Sequence, residues 1–307
     1  MHPVYTATGV PSFLRLGLRF GHNDAMRLDD LPIFPFLPEI ADALRCGSLV
    51  LSAETGAGKT SAVPAYLAER RELPGKAIIL EPRRLAAVSA AARVAELLGE
   101  EPGGTVGYRV RGDSRTGPRT VVEFVTEAVF IRIVQDDPLL TGVHLVAFDE
   151  FHERSALADL GLAFAAEARE ARGDLSILVM SATMDTAALS TFLECPTIAV
   201  PGRLFPIDLS YSPPQAGERQ ELALARAIAT ALGATAGDIL AFVPGLREMG
   251  ATAMSLRAML DHGLSDAGPV EILALHGSMP LREQRAIVSP PAGAPRRVIV
   301  STSIAET

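Results

Sequence analysis

Cysteine is scarce in this sequence and long apolar segments are missing. These two properties argue against a disulfide-stabilised protein and against a membrane-spanning one. The 307 residues include two cysteines, Cys46 and Cys195, which are too few for a disulfide framework and form no metal-binding motif. No run of eighteen apolar residues occurs, so no segment is predicted to span a membrane. The first 25 residues also lack the continuous apolar stretch and the cleavage site of a secretory signal. We therefore expect a cytoplasmic protein that makes no membrane contact.

Lysine is nearly absent, and arginine supplies almost all of the positive charge. Of 28 basic residues only Lys59 and Lys76 are lysines. A lysine in such a sequence suggests a role that the planar guanidinium of arginine does not fill. The net charge of −8 argues against a basic surface over the whole protein. A negative net charge is compatible with a local basic surface that binds nucleic acid, because phosphate contacts depend on the charge of that surface and not on the total charge.

Lys59 lies in the octet AETGAGKT, residues Ala53–Thr60, which follows a short apolar run and precedes a segment that can begin a helix. This is the strand–loop–helix context of a Walker A phosphate loop. Glycines in the octet let backbone N–H groups turn toward a phosphate, and the helix adds its positive end. The alternative is an ordinary glycine-rich turn. The residues expected to bind the nucleotide are Glu54, Thr55, Gly56, Ala57, Gly58, Lys59 and Thr60, with the Thr60 hydroxyl as a ligand for Mg²⁺.

A second candidate motif, Asp149-Glu150-Phe151-His152, follows the apolar predicted strand His144–Phe148. A carboxylate at the end of a parallel strand beside a phosphate loop is typical of a Walker B residue, and Asp149 is expected to hold Mg²⁺ through water. Glu150 is then placed to orient or deprotonate the attacking water. By itself such a pair more often marks a solvated strand end. After a complete Walker A octet it indicates a hydrolytic site.

Short apolar, β-branched runs alternate with helix-like segments along most of the chain, which predicts an α/β fold with parallel sheets covered on both faces. A domain boundary is expected near residues 200–203, where two strand-like segments meet without a helix between them. The predicted strands are Ser48–Ala53, Ala77–Leu80, Val121–Val125, His144–Phe148, Ile177–Met180, Ile207–Tyr211, Ile239–Val243, Ile272–Leu275 and Val298–Thr302. The predicted helices are Arg84–Leu98, Ala156–Glu170, Glu221–Leu232 and Leu246–Leu260.

Taken together, several segments closely resemble the DEAH/DExH-box helicases of superfamily 2. They are AETGAGKT, PRRLAA, GYRVR, TEAVF, FDEFHERS, SAT, FVPG, LHGSMPLREQ and STSIAET, and the variant DEFHERS resembles the bacterial HrpB-type group. The resemblance runs from about Leu31 to Thr307. It implies two RecA-like P-loop domains, residues 31–202 and 203–307, after an N-terminal tail of residues 1–30 that is disordered or reflects a start at Met26.

The resemblance also implies roles for individual residues. Contacts with the nucleic-acid backbone fall on Arg83, Arg84, Thr126 and Thr302, and stacking on the nucleotide base falls on Arg93. Coupling between hydrolysis, the second domain and the nucleic acid falls on His152, Ser181 and Thr183. From the residues alone, paired arginines are as often a solvated helix start and Arg93 is as often an ordinary exposed residue. A lone histidine such as His152 is more often structural. Val288 replaces the family's base-facing aromatic residue, which implies use of several nucleoside triphosphates.

The resemblance implies an ATP-dependent, Mg²⁺-requiring helicase that moves 3′ to 5′ on single-stranded or partly duplex RNA, or on DNA. In the family the STSIAET segment is followed by an arginine-rich motif that reaches the γ-phosphate. The sequence ends at Thr307 without it, so we expect an incomplete second domain. The alternative function is a nucleotide- and nucleic-acid-binding fragment with little or no turnover. A P-loop kinase or transporter ATPase is a third class, but it does not predict the other helicase segments.

Overall fold

The computed structural model describes residues 6–7, 28–54, 56–70, 72, 74–182, 186–201, 208–262, 269–288, 290–291 and 293–306. The chain divides into two compact units, one of residues 26–204 and one of residues 205–307 together with 1–25. Of the predicted N-terminal tail, only residues 6–7 and 28–30 are among those described. In the part of the chain described here, no helix is both long enough and apolar enough to cross a bilayer.

Strands and helices alternate through most of the chain. In chain order the strands are β1 (Thr6–Ala7), β2 (Leu49–Ala53), β3 (Lys76–Glu81), β4 (Val106–Val110), β5 (Asp113–Arg115), β6 (Val122–Thr126), β7 (Val143–Phe148), β8 (Ser176–Ser181), β9 (Thr197–Val200), β10 (Leu209–Ser210), β11 (Ile239–Phe242), β12 (Val270–Leu275) and β13 (Arg296–Ser301). The helices are α1 (Leu37–Cys46), α2 (Lys59–Glu69), α3 (Arg84–Leu97), α4 (Glu127–Asp136), α5 (Ala156–Arg172), α6 (Thr186–Leu193), α7 (Gln220–Ala234), α8 (Leu246–Asp261) and α9 (Leu281–Val288).

The first unit is built on one eight-stranded sheet with the order β5-β4-β6-β3-β7-β8-β2-β9. All neighbouring strands are parallel except the edge pair β4–β5, which is antiparallel. The predicted α/β fold with a mostly parallel sheet is therefore confirmed. Five of the predicted strands correspond to β2, β3, β6, β7 and β8, whereas β4, β5 and β9 were not predicted.

Helices cover both faces of this sheet, as the continuous apolar strands require. On β3, Ile78 and Leu80 belong to a core that includes Phe130 of α4 and Leu162 of α5. Ile79 of the same strand lies with residues of α2, including Val63 and Leu67, on the other face. Phe148 lies between two aromatic neighbours, with ring centroids 6.1 Å from Phe130 and 5.9 Å from Phe151, both edge-on.

The direction of the strands decides where a site can form. Because β6, β3, β7, β8 and β2 are parallel neighbours, their carboxyl ends meet at one edge of the sheet. Such an edge is where ligands bind in open α/β sheets. The loops and helix starts that follow these five strands contain most of the residues that the sequence singled out.

The second unit contains a three-stranded parallel sheet with the order β11-β13-β12. Its core joins this sheet to α7 and α8, with Ile228, Leu256, Val298 and Val300 buried together. The short strand β10 pairs antiparallel with β1. Of the predicted strand Ile207–Tyr211, residues 209–210 form β10, and residue 207 lies outside the described part of the chain.

Candidate active site

The phosphate loop connects the end of β2 to the start of α2. Gly56 and Gly58 have φ angles of 83° and 91°, in the left-handed region that favours glycine. Within the loop, the N–H of Ala57 donates to the carbonyl of Glu54 at 3.1 Å. Helix α2 begins at Lys59, directly after Gly58, so its free N–H groups and positive end lie at the loop. Thr55, one of the predicted phosphate-binding residues, lies outside the described residues.

Residues before α1 pack on the back of this loop. The N–H of Ile33 donates to the carbonyl of Ala57 at 3.1 Å. A Cβ atom at Gly58 would lie 2.9 Å from Cδ1 of Leu31, closer than side-chain atoms approach one another. Gly58 therefore suits this position through its backbone conformation, and a side chain there would also displace Leu31. No local sequence pattern indicates this contact, because Leu31 precedes β2 in the chain and Gly58 follows it.

Lys59 is buried, with 4% of its surface exposed. Its Nζ lies 2.8 Å from Oε1 of Glu150, which follows β7. Burying a lone ammonium is strongly unfavourable, and the carboxylate supplies its counter-charge. The ion pair brings the two predicted motifs, Walker A and Walker B, into direct contact.

Asp149 is held by two neutral donors. The hydroxyl of Thr60 donates to Oδ2 of Asp149, and the N–H of Glu150 donates to Oδ1 at 2.8 Å. The N–H of Asp149 itself donates to the carbonyl of Leu80 at 3.0 Å, which extends the pairing of β7 with β3. Burial raises the pKa of the Asp149 carboxyl, while Lys59 opposes the rise. The two residues predicted to serve Mg²⁺, Thr60 and Asp149, are therefore in contact.

Glu150 lies between Lys59 and His152. Its φ of 48° places a non-glycine residue in the left-handed region, a strained conformation that is common at functional sites. Nε2 of His152 lies 3.3 Å from Oε2 of Glu150, and Nδ1 accepts a long hydrogen bond of 3.5 Å from the N–H of Ala182. Because Nδ1 accepts this hydrogen bond, the N–H of a neutral His152 ring is at Nε2, which faces Glu150. His152 thereby connects Glu150 with the loop after β8 inside the first unit.

A third carboxylate, Glu81, belongs to the same cluster and was not singled out in the sequence. It ends β3, pairs in register with Thr126 and is 2% exposed. Its carboxyl group is hydrogen-bonded to that of Asp149, and burial, followed by the charges of Asp149 and Glu150, raises its pKa well above the usual value. The sequence contains a sign of this position, because Glu81, like Asp149, follows an apolar run at the carboxyl end of a parallel strand.

The predicted nucleic-acid contacts of the first unit lie at the same edge of the sheet. Arg83 and Arg84 join β3 to α3, and Thr126 ends β6 beside them. Arg83 pairs with Oε2 of Glu153 at 3.3 Å, whereas Arg84 is exposed. Thr302, the fourth predicted contact, lies in the second unit after β13, and its N–H donates to the carbonyl of Leu275 at 3.1 Å.

The remaining predicted residues occupy less informative positions. Ser181 is fully buried at the carboxyl end of β8, next to Ser52 of β2. Thr183, its predicted partner in coupling, lies outside the described residues. Arg93 lies on α3, where Nη1 pairs with Oε2 of Glu96 at 2.7 Å, and its stacking on the nucleotide base stays a prediction.

The arrangement around Thr60 and Asp149 suits Mg²⁺. Within the ranges that the structure describes, no three His, Cys, Asp or Glu side chains form a complete cage for a metal. Mg²⁺ does not need one, because it is usually bound through one or two protein oxygens together with substrate phosphates and water. Glu81 Oε1 is buried and has no hydrogen-bond partner among the described residues, so the site has an unused acceptor as well as an excess of carboxylates. These residues fit a hydrated divalent cation.

A cavity of about 290 Å³ lies at the opposite edge of the same sheet. Ser48, Leu175 and Pro196, which precede β2, β8 and β9, line it together with both cysteines. Because this cavity is at the amino ends of parallel strands, it is separate from the phosphate loop and plays no part in the candidate active site.

The phosphate loop and the residues that follow β7 lie in a part of the chain that matches a known protein family. A family model described as DEAD/DEAH box helicase matches residues 38–191, about half of the chain. The chain is also similar to the ATP-dependent RNA helicase HrpB of Escherichia coli (strain K12). The two are 42% identical over 283 residues, which make up 91% of this chain and 34% of the relative.

Two solved structures agree with the sequence match. The crystal structure of Escherichia coli DEAH/RHA helicase HrpB aligns with 90% of this chain and 35% of its own, with a TM-score of 0.79 and 43% identity. The crystal structure of E. coli DExH-box NTPase HrpB aligns with 90% of this chain and 34% of its own, with a TM-score of 0.70 and 43% identity. The chain spans about a third of the length of these relatives. With its fold, its paired motifs and these matches in agreement, the chain belongs to the DEAD/DEAH box helicase family.

Proposed function

We propose that this chain binds ATP with Mg²⁺ and couples ATP hydrolysis to movement along a single strand of nucleic acid, RNA in preference to DNA. The observation that carries the proposal is the junction of the two motifs. Lys59 of the phosphate loop is paired with Glu150, and Thr60 of the same loop donates to Asp149. A phosphate-binding group, a metal-binding pair and a general base thus occupy one site.

Nucleotide binding changes the partners of Lys59. The outer phosphates of ATP are stronger counter-ions than one carboxylate, so they draw the ammonium away from Glu150. Glu150 is then released as a base, oriented by His152, and accepts the proton of the water that attacks the γ-phosphorus while the bond to the β-phosphate breaks. Thr60 and Asp149 would hold the Mg²⁺, which would supply positive charge to offset the negative charge of the phosphates.

Nucleic acid binds, in this proposal, along the edge of the sheet that contains Arg83, Arg84 and Thr126. These side chains suit phosphate and sugar oxygens, which RNA and DNA share. The preference for RNA is drawn from the similar Escherichia coli protein, whose name describes an RNA helicase. Other nucleoside triphosphates and the 3′ to 5′ direction are parts of the same proposal that come from the family resemblance.

A second candidate is a nucleotide- and nucleic-acid-binding protein with little or no turnover. An arginine that reaches the γ-phosphate contributes about 10³–10⁵ in rate in related phosphoryl-transfer sites. Arg296 and Arg297 begin β13, but both have structural partners. Arg296 donates to the carbonyls of Leu232 and Gly237, and Arg297, 5% exposed, pairs with Asp238. Their engagement within the second unit favours this candidate.

Phosphate release from ATP, measured with and without single-stranded RNA and DNA, tests the proposal. Stimulation by RNA that exceeds stimulation by DNA supports the helicase function. Equal stimulation by both would remove the RNA preference. Tight nucleotide binding without measurable turnover would favour the second candidate.

A further inference from the structure

Of the three neighbouring carboxylates Glu81, Asp149 and Glu150, the proposed function gives no role to Glu81. It lies at the carboxyl end of β3, between β6 and β7, and 2% of its surface is exposed. One of its oxygens has no hydrogen-bond partner among the residues that the structure describes. A buried carboxylate oxygen without a donor is unfavourable and calls for a ligand or an ordered water.

The balance of charge around Glu81 points to a cation. Three carboxylates, Glu81, Asp149 and Glu150, lie within electrostatic range of one another, and Lys59 is paired with Glu150. The groups that are hydrogen-bonded to Asp149 carry no positive charge: they are the Thr60 hydroxyl, the Glu150 N–H and the Glu81 carboxyl group. Both carboxyl groups are buried, and neither forms an ion pair with a basic side chain among the described residues, so a divalent cation bound at Asp149 would supply their positive partner.

We infer that Glu81 is a positioning residue for the Mg²⁺ that accompanies the nucleotide. Its carboxylate orients Asp149, and its unused oxygen accepts a hydrogen bond from water bound to the metal. Partners of this kind, outside the direct ligands, typically change metal affinity 10- to 100-fold when mutated. The inference rests on the proposed function, because it assumes that the phosphate loop binds a nucleotide with its metal.

The neighbouring strand offers a matched control. Glu123 on β6 is also a buried strand glutamate, but its carboxylate is paired with Arg109 at 2.9 Å and with Lys76. Its charge is thus neutralised by protein groups. Glu123 is near the start of β6, whereas Glu81 is paired with the last residue of that strand. Glu123 therefore lies farther from the phosphate loop than Glu81 does. Glu123→Gln should leave metal affinity unchanged.

The test is a titration of Mg²⁺ into the protein with a fluorescent, non-hydrolysable ATP analogue, which reports binding without turnover. In Glu81→Gln we expect the Mg²⁺ concentration at half-maximal enhancement to rise about 10-fold. Binding of the analogue in excess EDTA should be no weaker, since the proposed role of Glu81 acts through the metal and not on the phosphates directly. A midpoint within twofold of that of the unmodified protein would overturn the inference, as would an equal loss of binding in EDTA.

The outcomes separate this inference from the proposed function. If the unmodified chain binds no analogue with or without Mg²⁺, the nucleotide site itself is refuted and the inference fails with it. Thermal unfolding without nucleotide checks the fold of each variant. Should Glu81→Gln not fold, Glu81→Asp, which keeps the charge on a shorter side chain, replaces it. An unchanged Mg²⁺ midpoint in that variant would equally overturn the inference, because its carboxylate is displaced from Asp149.

Discussion

The ammonium nitrogen of Lys59 lies 2.8 Å from Oε1 of Glu150, so the first residue of α2 is joined to the residue that follows Asp149. In this arrangement the group proposed to bind phosphate and the group proposed to activate water neutralise each other. In the proposed mechanism the phosphates of ATP separate the pair, so the base is released only where a nucleotide is bound.

Removing either partner of this pair should abolish hydrolysis stimulated by nucleic acid. Lys59→Ala removes the phosphate-binding charge and leaves Glu150 without its counter-ion, and Glu150→Gln removes the base while leaving the loop intact. For Glu150→Gln we expect a loss of at least about 10²-fold in turnover, the lower range for general-base catalysis, with nucleotide binding retained. Phosphate release with saturating single-stranded RNA measures the effect.

The other lysine provides the control for that experiment. Lys76 is also paired with a glutamate, Glu123, but it begins β3 at the edge opposite the phosphate loop. Lys76→Ala should keep its stimulated turnover within a few-fold of the unmodified chain. Stimulated turnover retained in Lys59→Ala would contradict the assignment of the site.

Gly58 should tolerate a methyl group less well than Gly56. Both have positive φ, so alanine at either position is expected to cost about 1–2 kcal/mol in backbone strain. Only at Gly58 would the new Cβ also meet Leu31, at 2.9 Å, whereas at Gly56 no atom lies within 4 Å. We expect Gly58→Ala to lower the free energy of unfolding by at least a further ~1 kcal/mol, measured by urea denaturation. Leu31→Ala in the Gly58→Ala background should restore part of the difference, and equal losses at the two glycines would disprove the contact.

Glu127 should make the stability of the first unit depend on pH. Burial, and then the charges of Glu153 and Asp159, raise the pKa of its carboxyl group, although a hydrogen bond from Ser155 opposes the rise. Because the folded state holds the proton more tightly than the unfolded chain, the folded state is favoured at low pH. That advantage is lost as the pH rises from the usual carboxyl pKa, about 4.3, through the raised value.

Comparison with Glu127→Gln isolates this effect, since the amide oxygen can still accept from Ser155 and carries no charge. The unfolding free energy of the unmodified chain minus that of the variant should decrease between about pH 4 and pH 7. Chemical denaturation at several pH values measures it. A difference that stays constant, or that increases with pH, would contradict the raised pKa.

Arg84 should contribute to strand binding through phosphate contact. It is exposed at the first residue of α3, on the edge of the sheet that contains the candidate active site. For one phosphate contact on a single strand, Arg84→Ala should reduce the slope of log affinity against log salt concentration by about 0.7. Fluorescence anisotropy with a labelled RNA oligonucleotide at several salt concentrations measures the slope.

Arg45 is the matched control for that prediction, because it is an exposed arginine near the end of α1, just before the amino end of β2 at the opposite edge. Its substitution by alanine should leave the slope unchanged. If Arg45→Ala and Arg84→Ala reduce the slope equally, binding is a diffuse electrostatic effect and not contact at the proposed edge.

The sequence predicted those parts of the fold in which a local pattern is sufficient. Buried parallel strands such as β7 and β8 are continuous apolar runs, and they were recognised as such. Strand β4 was missed because it contains exposed Arg109 between apolar residues, and its hairpin partner β5 is short and polar. The hairpin spans only residues 106–115, but β4 joins the sheet through its parallel pairing with β6, which no short window of sequence reveals.

The same distinction holds at the site. The positions of Lys59, Thr60 and Asp149 could be predicted because the strand order of a P-loop fold brings the two motifs together. The sequence does not distinguish Glu81 from other carboxylates at strand ends. What distinguishes it is its burial and its interaction with Asp149, which is distant in sequence. For His152 the sequence predicted coupling to the second domain. The described contacts are with Glu150 and Ala182, and the coupling stays a prediction.

The contacts of Leu31 and Ile33 with the phosphate loop have a practical consequence for how this family is divided into domains. The family match begins at residue 38, after both of these residues. A fragment cut at that position would retain every strand of the eight-stranded sheet and every motif by which the family is recognised. It would nevertheless lack Leu31 and Ile33, so the part of this chain that matches the family model leaves out residues that pack against the phosphate loop.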